Sequence, residues 1–231
     1  MNHAIIVAGG VGSRMGLNIP KQYVLVNEIP IFLYSFRKFA NHPLVDSIVM
    51  VLAEEWEPFA KEWIDKEGMT KQVFFAHSGI SRQHSVLNGL KALSAIADDE
   101  DLVLVHDAVR PLFPLSNIDD GIEACHEYDA ALPVISVKDA TYQSHDGQLM
   151  SAILPRQELF SGQSPECFRY GKYYRVHEAL SDEMIGSIRG SSELAFRTGM
   201  KVKLIPGTER NFKLTTIEDL NAFELTLKSE L

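Results

Sequence analysis

The apolar run at residues 4–7 (AIIV) gives way within five positions to Gly9, Gly10 and Gly12, and this junction limits the fold more than any other stretch. A short, uninterrupted apolar run bounded by glycines reads as a strand buried on both faces, so it needs packed layers above and below it. Glycines lack a Cβ, which lets the backbone turn sharply and bring its N–H groups close to an anion. Arg14 stands two residues past the last glycine and Lys21 follows Pro20, so two permanent cations flank the bare backbone. Arginine supplies a planar fork for non-bridging oxygens and lysine a mobile point charge, a pairing that suits a triphosphate whose charge shifts during displacement.

A glycine-rich turn after a strand also serves simply to let strand and helix pack, and glycines alone do not separate the two uses. The cations favour phosphate. No Gly-Lys-Ser/Thr follows the glycines at Walker A spacing and the third glycine of the dinucleotide fingerprint is missing, which argues against P-loop hydrolysis and hydride transfer.

Downstream, helix and strand patterns alternate. Ile31, Tyr34, Phe36 and Phe39 predict a helix, 45–52 a second strand, 56–67 an amphipathic helix and 73–76 a third strand. A helix through Leu87, Leu90 and Leu93 follows, then an apolar strand over 102–105, a helix over 118–128, a strand over 130–134, a helix over 172–180 and a strand over 202–205. Such alternation implies an α/β fold with a mostly parallel sheet and helices on its faces. No repeat, low-complexity tract or linker divides the chain, so 1–231 is one domain with an insertion. That insertion is about 136–160, where two β-prone runs flank His145-Asp146-Gly147, a hairpin signal. A hairpin projecting alone is marginal, so its apolar positions need another surface.

With 231 residues the chain can bury a sizeable core, and its net charge of -9 argues against a general nucleic-acid or membrane-surface binder. Any cationic site is therefore local. Cys125 and Cys167 lack metal-ligand spacing and read as reduced packing residues. Neither a cleavable leader pattern nor a run of eighteen apolar residues is present, which predicts a cytoplasmic location and no membrane partner.

Three further segments carry chemistry. In SGISRQHSVLNGL, starting at Ser78, Gly79, Arg82 and Ser85 are placed ahead of the helix, and a serine there serves more often as a cap than as a ligand. HDAVRP, from His106 to Pro111, lies at a strand's carboxyl end, where ligands of open α/β sheets gather. An aspartate there is a natural Mg2+ ligand, although Asp107 and Arg110 alone also read as a structural pair. His106 reads as a packing or hydrogen-bonding residue rather than a general base. In GTERNFKLTTIED, from Gly207 to Asp219, Thr216 caps the last helix, whereas Lys213 has no evident structural reason near a helix start, which disfavours cations.

AGGVGSRMG with PKQ, joined by these segments, resembles the nucleotidyltransferases that activate sugar and polyol phosphates. Within them it is similar, over nearly the whole chain, to the cytidylyltransferases acting on 2-C-methyl-D-erythritol 4-phosphate or ribitol 5-phosphate. The resemblance implies a Rossmann-like, glycosyltransferase-A-like three-layer sandwich with a projecting β-arm. It implies that Ala8, Gly9, Gly10 and Gly12 with Arg14 and Lys21 hold the triphosphate of CTP, that Gly79, Arg82 and Ser85 read the nucleoside, and that Asp107 holds Mg2+. Arg14, Lys21 and Lys213 form the implied catalytic set. Arg110, with Asp139, Thr141 and Arg156 of the arm, is implied in binding the polyol phosphate, the arm reaching across a homodimer interface. Departures from the pattern are Ile80 in place of an acidic residue, Ala140 where a threonine usually follows Asp139, QSP for QTP, and Arg189-Gly190 at a usual Thr-Asp pair.

The expected reaction is transfer of CMP from CTP to a polyol phosphate, giving a CDP-polyol and pyrophosphate. GGVGSRMG, HDAVRP, GQSP and LSDE look nearer to the ribitol-phosphate enzymes than to the isoprenoid-pathway enzyme. A non-catalytic nucleotide-binding regulator is the rival from another class, suggested by the lost Thr-Asp pair. Retention of Arg14, Lys21, Asp107 and Lys213 together speaks against it.

Overall fold

The computed structural model describes residues 1–10 and 19–229. Its frame is an eight-stranded sheet built from β1 (Asn2–Val7), β4 (Ser47–Leu52), β5 (Gln72–His77), β6 (Leu102–Asp107), β7 (Ala130–Ser136), β10 (Phe160–Gly162), β11 (Glu166–Arg169) and β12 (Val202–Pro206). β1 lies between β4 and β6, both parallel to it, and β5 extends the sheet beyond β4. β11 enters antiparallel between β6 and β7, and β12 runs parallel to β7. Two short ladders, β2 (Leu25–Val26) with β3 (Ile29–Pro30) and β8 (Thr141–Gln143) with β9 (Ala152–Leu154), stand apart.

Successive side chains of a strand point to opposite faces, so one buried strand feeds two cores. Ala4 and Ile6 of β1 pack on one face with Phe32, Phe36 and Phe39 of α1 (Ile31–Ala40), Ala60 and Ile64 of α2 (Glu57–Asp65) and Ile118 of α4 (Ser116–Ala124). Ile5 faces the other way, toward Val86, Leu90 and Leu93 of α3 (Arg82–Leu93), Tyr170 and Tyr173 of α5 (Tyr170–Glu178) and Leu194 of α7 (Ser191–Arg197). This is the expected three-layer sandwich. α8 (Ile217–Ser229) adds a small third cluster, with Phe223 against Val26, Ile31, Val109 and Leu214. Among the described residues no helix is long and apolar enough to cross a membrane.

Where pattern and structure differ, the cause is local. The helix expected over 118–128 ends at Ala124, because the next residues turn down toward β7 and Asp129 bonds to Lys201. α3 starts at Arg82 with Ser81 as its cap, accepting from His84 N at 3.3 Å, so Arg82 and Ser85 lie in its first turn and not ahead of it. β10 and β11 were not expected, nor was α6 (Asp182–Ser187), which Ser181 caps. β10 and β11 are three and four residues long, and they run successively along β7 around a bulge at Gln163-Ser164-Pro165. Neither is long enough to declare a period of two. On the α8 side the expected Thr216 cap is present, and the Asp219 carboxylate accepts in return from Thr215 N and Thr216 N.

Candidate active site

Strands β1, β5 and β6 end on the same side of the sheet, and the loops that follow them enclose a cavity of about 400 Å³. Ala8, Gly9 and Gly10 form one wall, Gly79, Arg82 and Ser85 another, and Lys21, Asp107 and Lys213 complete it. Gly9 is dictated by close approach, since a Cβ there would sit 2.1 Å from Ser78 Cβ. Gly79 is held to the same rule by His84, 2.4 Å from the Cβ it lacks. At Gly10 no described residue lies within 4 Å of where a Cβ would stand. Gly12 and Arg14 fall outside the described residues.

Gln22, which the sequence reading passed over, ties this loop together. Its Nε2 donates to the carbonyls of Ala8 at 2.5 Å and Gly10 at 2.7 Å, and Tyr23 Oη donates to Ala8 as well. Carbonyl oxygens that would otherwise oppose an anion are thereby paired. Burial anchors the clamp, because Tyr23 is 1% exposed and stacks on Trp56 with centroids 4.2 Å apart. Lys21, in the same turn, is buried at the cavity wall. Its place beside Gln22 in PKQ was the available signal. On the opposite wall Ser85 Oγ accepts from Gly79 N at 3.0 Å and donates to the Ser81 carbonyl, which closes the β5–α3 loop. Ile80 projects from that loop, 90% exposed at the cavity rim.

Asp107 stands where two cavities meet. One carboxylate oxygen accepts from Arg82 Nε at 2.8 Å and the other from Lys213 Nζ at 2.9 Å, with Arg110 Nε at 3.7 Å. Burial alone would push this acid up, but Arg82, Lys213 and Arg110 hold it well below the usual carboxylate range. Lys213 thus has a structural partner that its sequence context did not reveal. Arg82 reaches further, to Ser191 Oγ at 2.7 Å and Glu166 Oε1 at 3.3 Å. Burial works against its charge, yet Asp107 and Glu166 outweigh it and raise the guanidinium pKa. Glu166 also accepts from Ser192 N and Ser192 Oγ, fastening α7 to β11. The side chain nominated to read a nucleoside is therefore the bolt between α3, β6, β11 and α7.

Beyond Asp107 lies a second cavity of about 340 Å³, sharing Arg82, Asp107 and Lys213 with the first and lined also by Arg110, Gln163, Ser164, Glu166 and Arg189. Arg110 Nη1 donates to the Asn211 carbonyl at 2.7 Å, so HDAVRP and the closing segment are pinned to each other. Ser164 Oγ is 3.0 Å from His106 Nδ1 and accepts from Asp107 N. Burial pushes His106 down to about 3, which keeps it neutral between Phe39 and Phe113. That is the packing and hydrogen-bonding part expected of it.

The expectation that Asp107 holds Mg2+ meets a carboxylate whose two oxygens already accept from cations. Among the described residues no three His, Cys, Asp or Glu side chains converge as a metal site. A hard divalent ion prefers free carboxylate oxygens and water, and three cationic side chains around the carboxylate repel it. These residues do not fit a resident ion. Asp139, Thr141 and Arg156 sit on the arm and line neither cavity. Arg156 donates to the Lys138 carbonyl, and Thr141 Oγ1 to that of Asp139.

A family model described as 2-C-methyl-D-erythritol 4-phosphate cytidylyltransferase, IspD, matches residues 2–229. The chain belongs to this family. A 2-C-methyl-D-erythritol 4-phosphate cytidylyltransferase of Geobacter metallireducens is 35% identical over 230 residues, which is 99% of this chain and 98% of its own. A ribitol-5-phosphate cytidylyltransferase of Lacticaseibacillus paracasei is 32% identical, covering 98% of each chain. The solved 4-diphosphocytidyl-2C-methyl-D-erythritol synthase of Anaerococcus prevotii matches with a TM-score of 0.84, over 99% of this chain and 96% of its own. At 23% identity that likeness speaks for the fold. As an IspD-family member the chain is a CTP-dependent cytidylyltransferase, and relatives of both acceptor names surround it.

Proposed function

We propose that this cytidylyltransferase takes D-ribitol 5-phosphate as its acceptor, seated in the second cavity while CTP occupies the first. The observation that carries the reading is the second cavity's lining, in which Leu132 is the one aliphatic side chain among the described residues. A linear polyol presents hydroxyls that need hydrogen-bonding partners, and polar residues line this cavity densely. A methyl branch would instead want apolar cover, at about 0.8 kcal/mol per buried carbon. The second reading is 2-C-methyl-D-erythritol 4-phosphate, which the family's description and the Geobacter relative favour.

In this proposal an oxygen of the acceptor phosphate attacks the α-phosphorus of CTP. One P–O bond forms there as the bond to the β-phosphate oxygen breaks, and pyrophosphate leaves with that electron pair. No protein nucleophile is needed, so the residues act by position and charge. The Ala8–Gly10 backbone and Lys21, with Gly12 and Arg14, hold the triphosphate; Gly79 and Ser85 face the nucleoside. Magnesium travels with the triphosphate as part of the substrate, and Asp107 orders Lys213, Arg82 and Arg110 at the boundary between the two reactants. Tyr142, Leu149, Met150 and Ile153 are exposed on the arm, which supports a homodimer in which the arm's Asp139, Thr141 and Arg156 meet the partner's acceptor.

Pyrophosphate release from CTP, measured with each polyol phosphate in turn, tests the reading. We expect kcat/KM at least about tenfold higher with D-ribitol 5-phosphate, a gap of roughly 1.4 kcal/mol. The reverse preference selects the second reading. No pyrophosphate release with either acceptor, despite CTP binding, would leave a nucleotide-binding regulator.

A further inference from the structure

We propose that Arg189, in the loop between α6 and α7, binds the phosphate of the acceptor. This rests on the second cavity being the acceptor's. Four cationic side chains and three carboxylates line that cavity, a surplus of one positive charge. Three of the cations are already committed: Arg82 to Asp107, Glu166 and Ser191, Lys213 to Asp107, and Arg110 to the Asn211 carbonyl and Asp107. Arg189 is the fourth, and no described residue bonds its guanidinium. The third carboxylate, Glu193, meets Arg197 Nε at 3.4 Å, so Arg189 is left as the cation of this lining whose guanidinium faces no carboxylate among the described residues.

Its backbone is held in advance. Arg189 N donates to Glu193 Oε2 at 2.9 Å, Ile188 beside it is 8% exposed, and Gly190 leads into an α7 whose first turn is fastened by Glu166 and Arg82. A fixed backbone spares the backbone share of the ordering cost when the planar fork meets an oxyanion.

Steady-state kinetics of Arg189→Ala test the proposal. A charge-assisted hydrogen bond to phosphate sets the expectation: acceptor KM rises about 10- to 100-fold while CTP KM stays within about twofold. The rise should be equal for D-ribitol 5-phosphate and 2-C-methyl-D-erythritol 4-phosphate, since the shared group is the phosphate. Arg189→Lys should recover part of it, keeping charge without the fork. Because the side chain is exposed, thermal unfolding should be unchanged. Titration with inorganic phosphate, followed by phosphorus NMR, reads the same contact without turnover and stays decisive even if neither polyol phosphate is a substrate. Weaker phosphate binding in Arg189→Ala supports the assignment. Acceptor KM and phosphate binding both within about twofold of the parent protein, or a CTP KM that moves as far as the acceptor's, would overturn it.

Discussion

The two cavities share the wall of Asp107 and are made of different materials. In the first cavity Ala8, Gly9, Gly10 and Gly79 stand on loops at the ends of parallel strands, closed by local clamps from Gln22 and Ser85. On the other side the lining is side chains joined across great sequence distances, Arg82 to Ser191 and Lys213 to Asp107 among them. In the proposed assignment the triphosphate of CTP meets the first lining and the acceptor the second. Acceptors differ, and side chains are the part that changes without disturbing the sheet.

The largest expected effect strikes the shared wall. Asp107→Asn leaves Arg82, Lys213 and Arg110 without their common anion, and breaking a buried pair by removing one partner costs about 3–5 kcal/mol. Urea unfolding should show that loss, and binding in both cavities should weaken together. Its pH dependence has a definite sign. A carboxylate held below its ordinary pKa of about 3.9 contributes stability that is present above that value and lost as the pH falls through the lower folded value. The parent protein should lose stability on acidification below about pH 4 more steeply than Asp107→Asn. Equal slopes, or a loss under about 1 kcal/mol, would show that the cations do not depend on Asp107.

Next comes Lys21→Ala, which separates the cavities. If Lys21 stabilises charge that develops at the α-phosphorus, turnover should fall about 100- to 1000-fold with CTP affinity little changed. An intact rate at saturating CTP and acceptor would remove it from the catalytic set. The smallest effect concerns the arm. Ile153→Asp, at an exposed apolar position, should dissociate the proposed dimer in sedimentation and raise acceptor KM about tenfold, leaving CTP affinity alone. Monomers with unchanged acceptor KM would confine the acceptor site to one chain.

What could be read from the sequence follows the same division. The junction after β1 was legible because Gly9 answers to a neighbour that only a missing Cβ admits, and such a demand leaves its mark at one position. The fold's layers were legible for a similar reason, since strand and helix periods are local. The Arg82 bolt was not, because its partners Glu166 and Ser191 come from segments with no pattern that points to Arg82. Lys213 looked unaccompanied beside a helix start, yet its carboxylate stands 106 residues earlier. β10 and β11 escaped notice because Pro165 and Glu166 interrupt whatever alternation so few residues could show.

The bulge between those two strands couples parts that otherwise look independent. Phe160, at the root of the arm, and Glu166, which receives Arg82, are six residues apart on one ribbon hydrogen-bonded to β7. Residues 163–166 face only 132 and 133 of β7, so the ribbon is bulged there while both its ends stay paired. Gln163 and Ser164 of that bulge line the second cavity, so the root of the arm and one wall of that cavity belong to a single stretch of backbone.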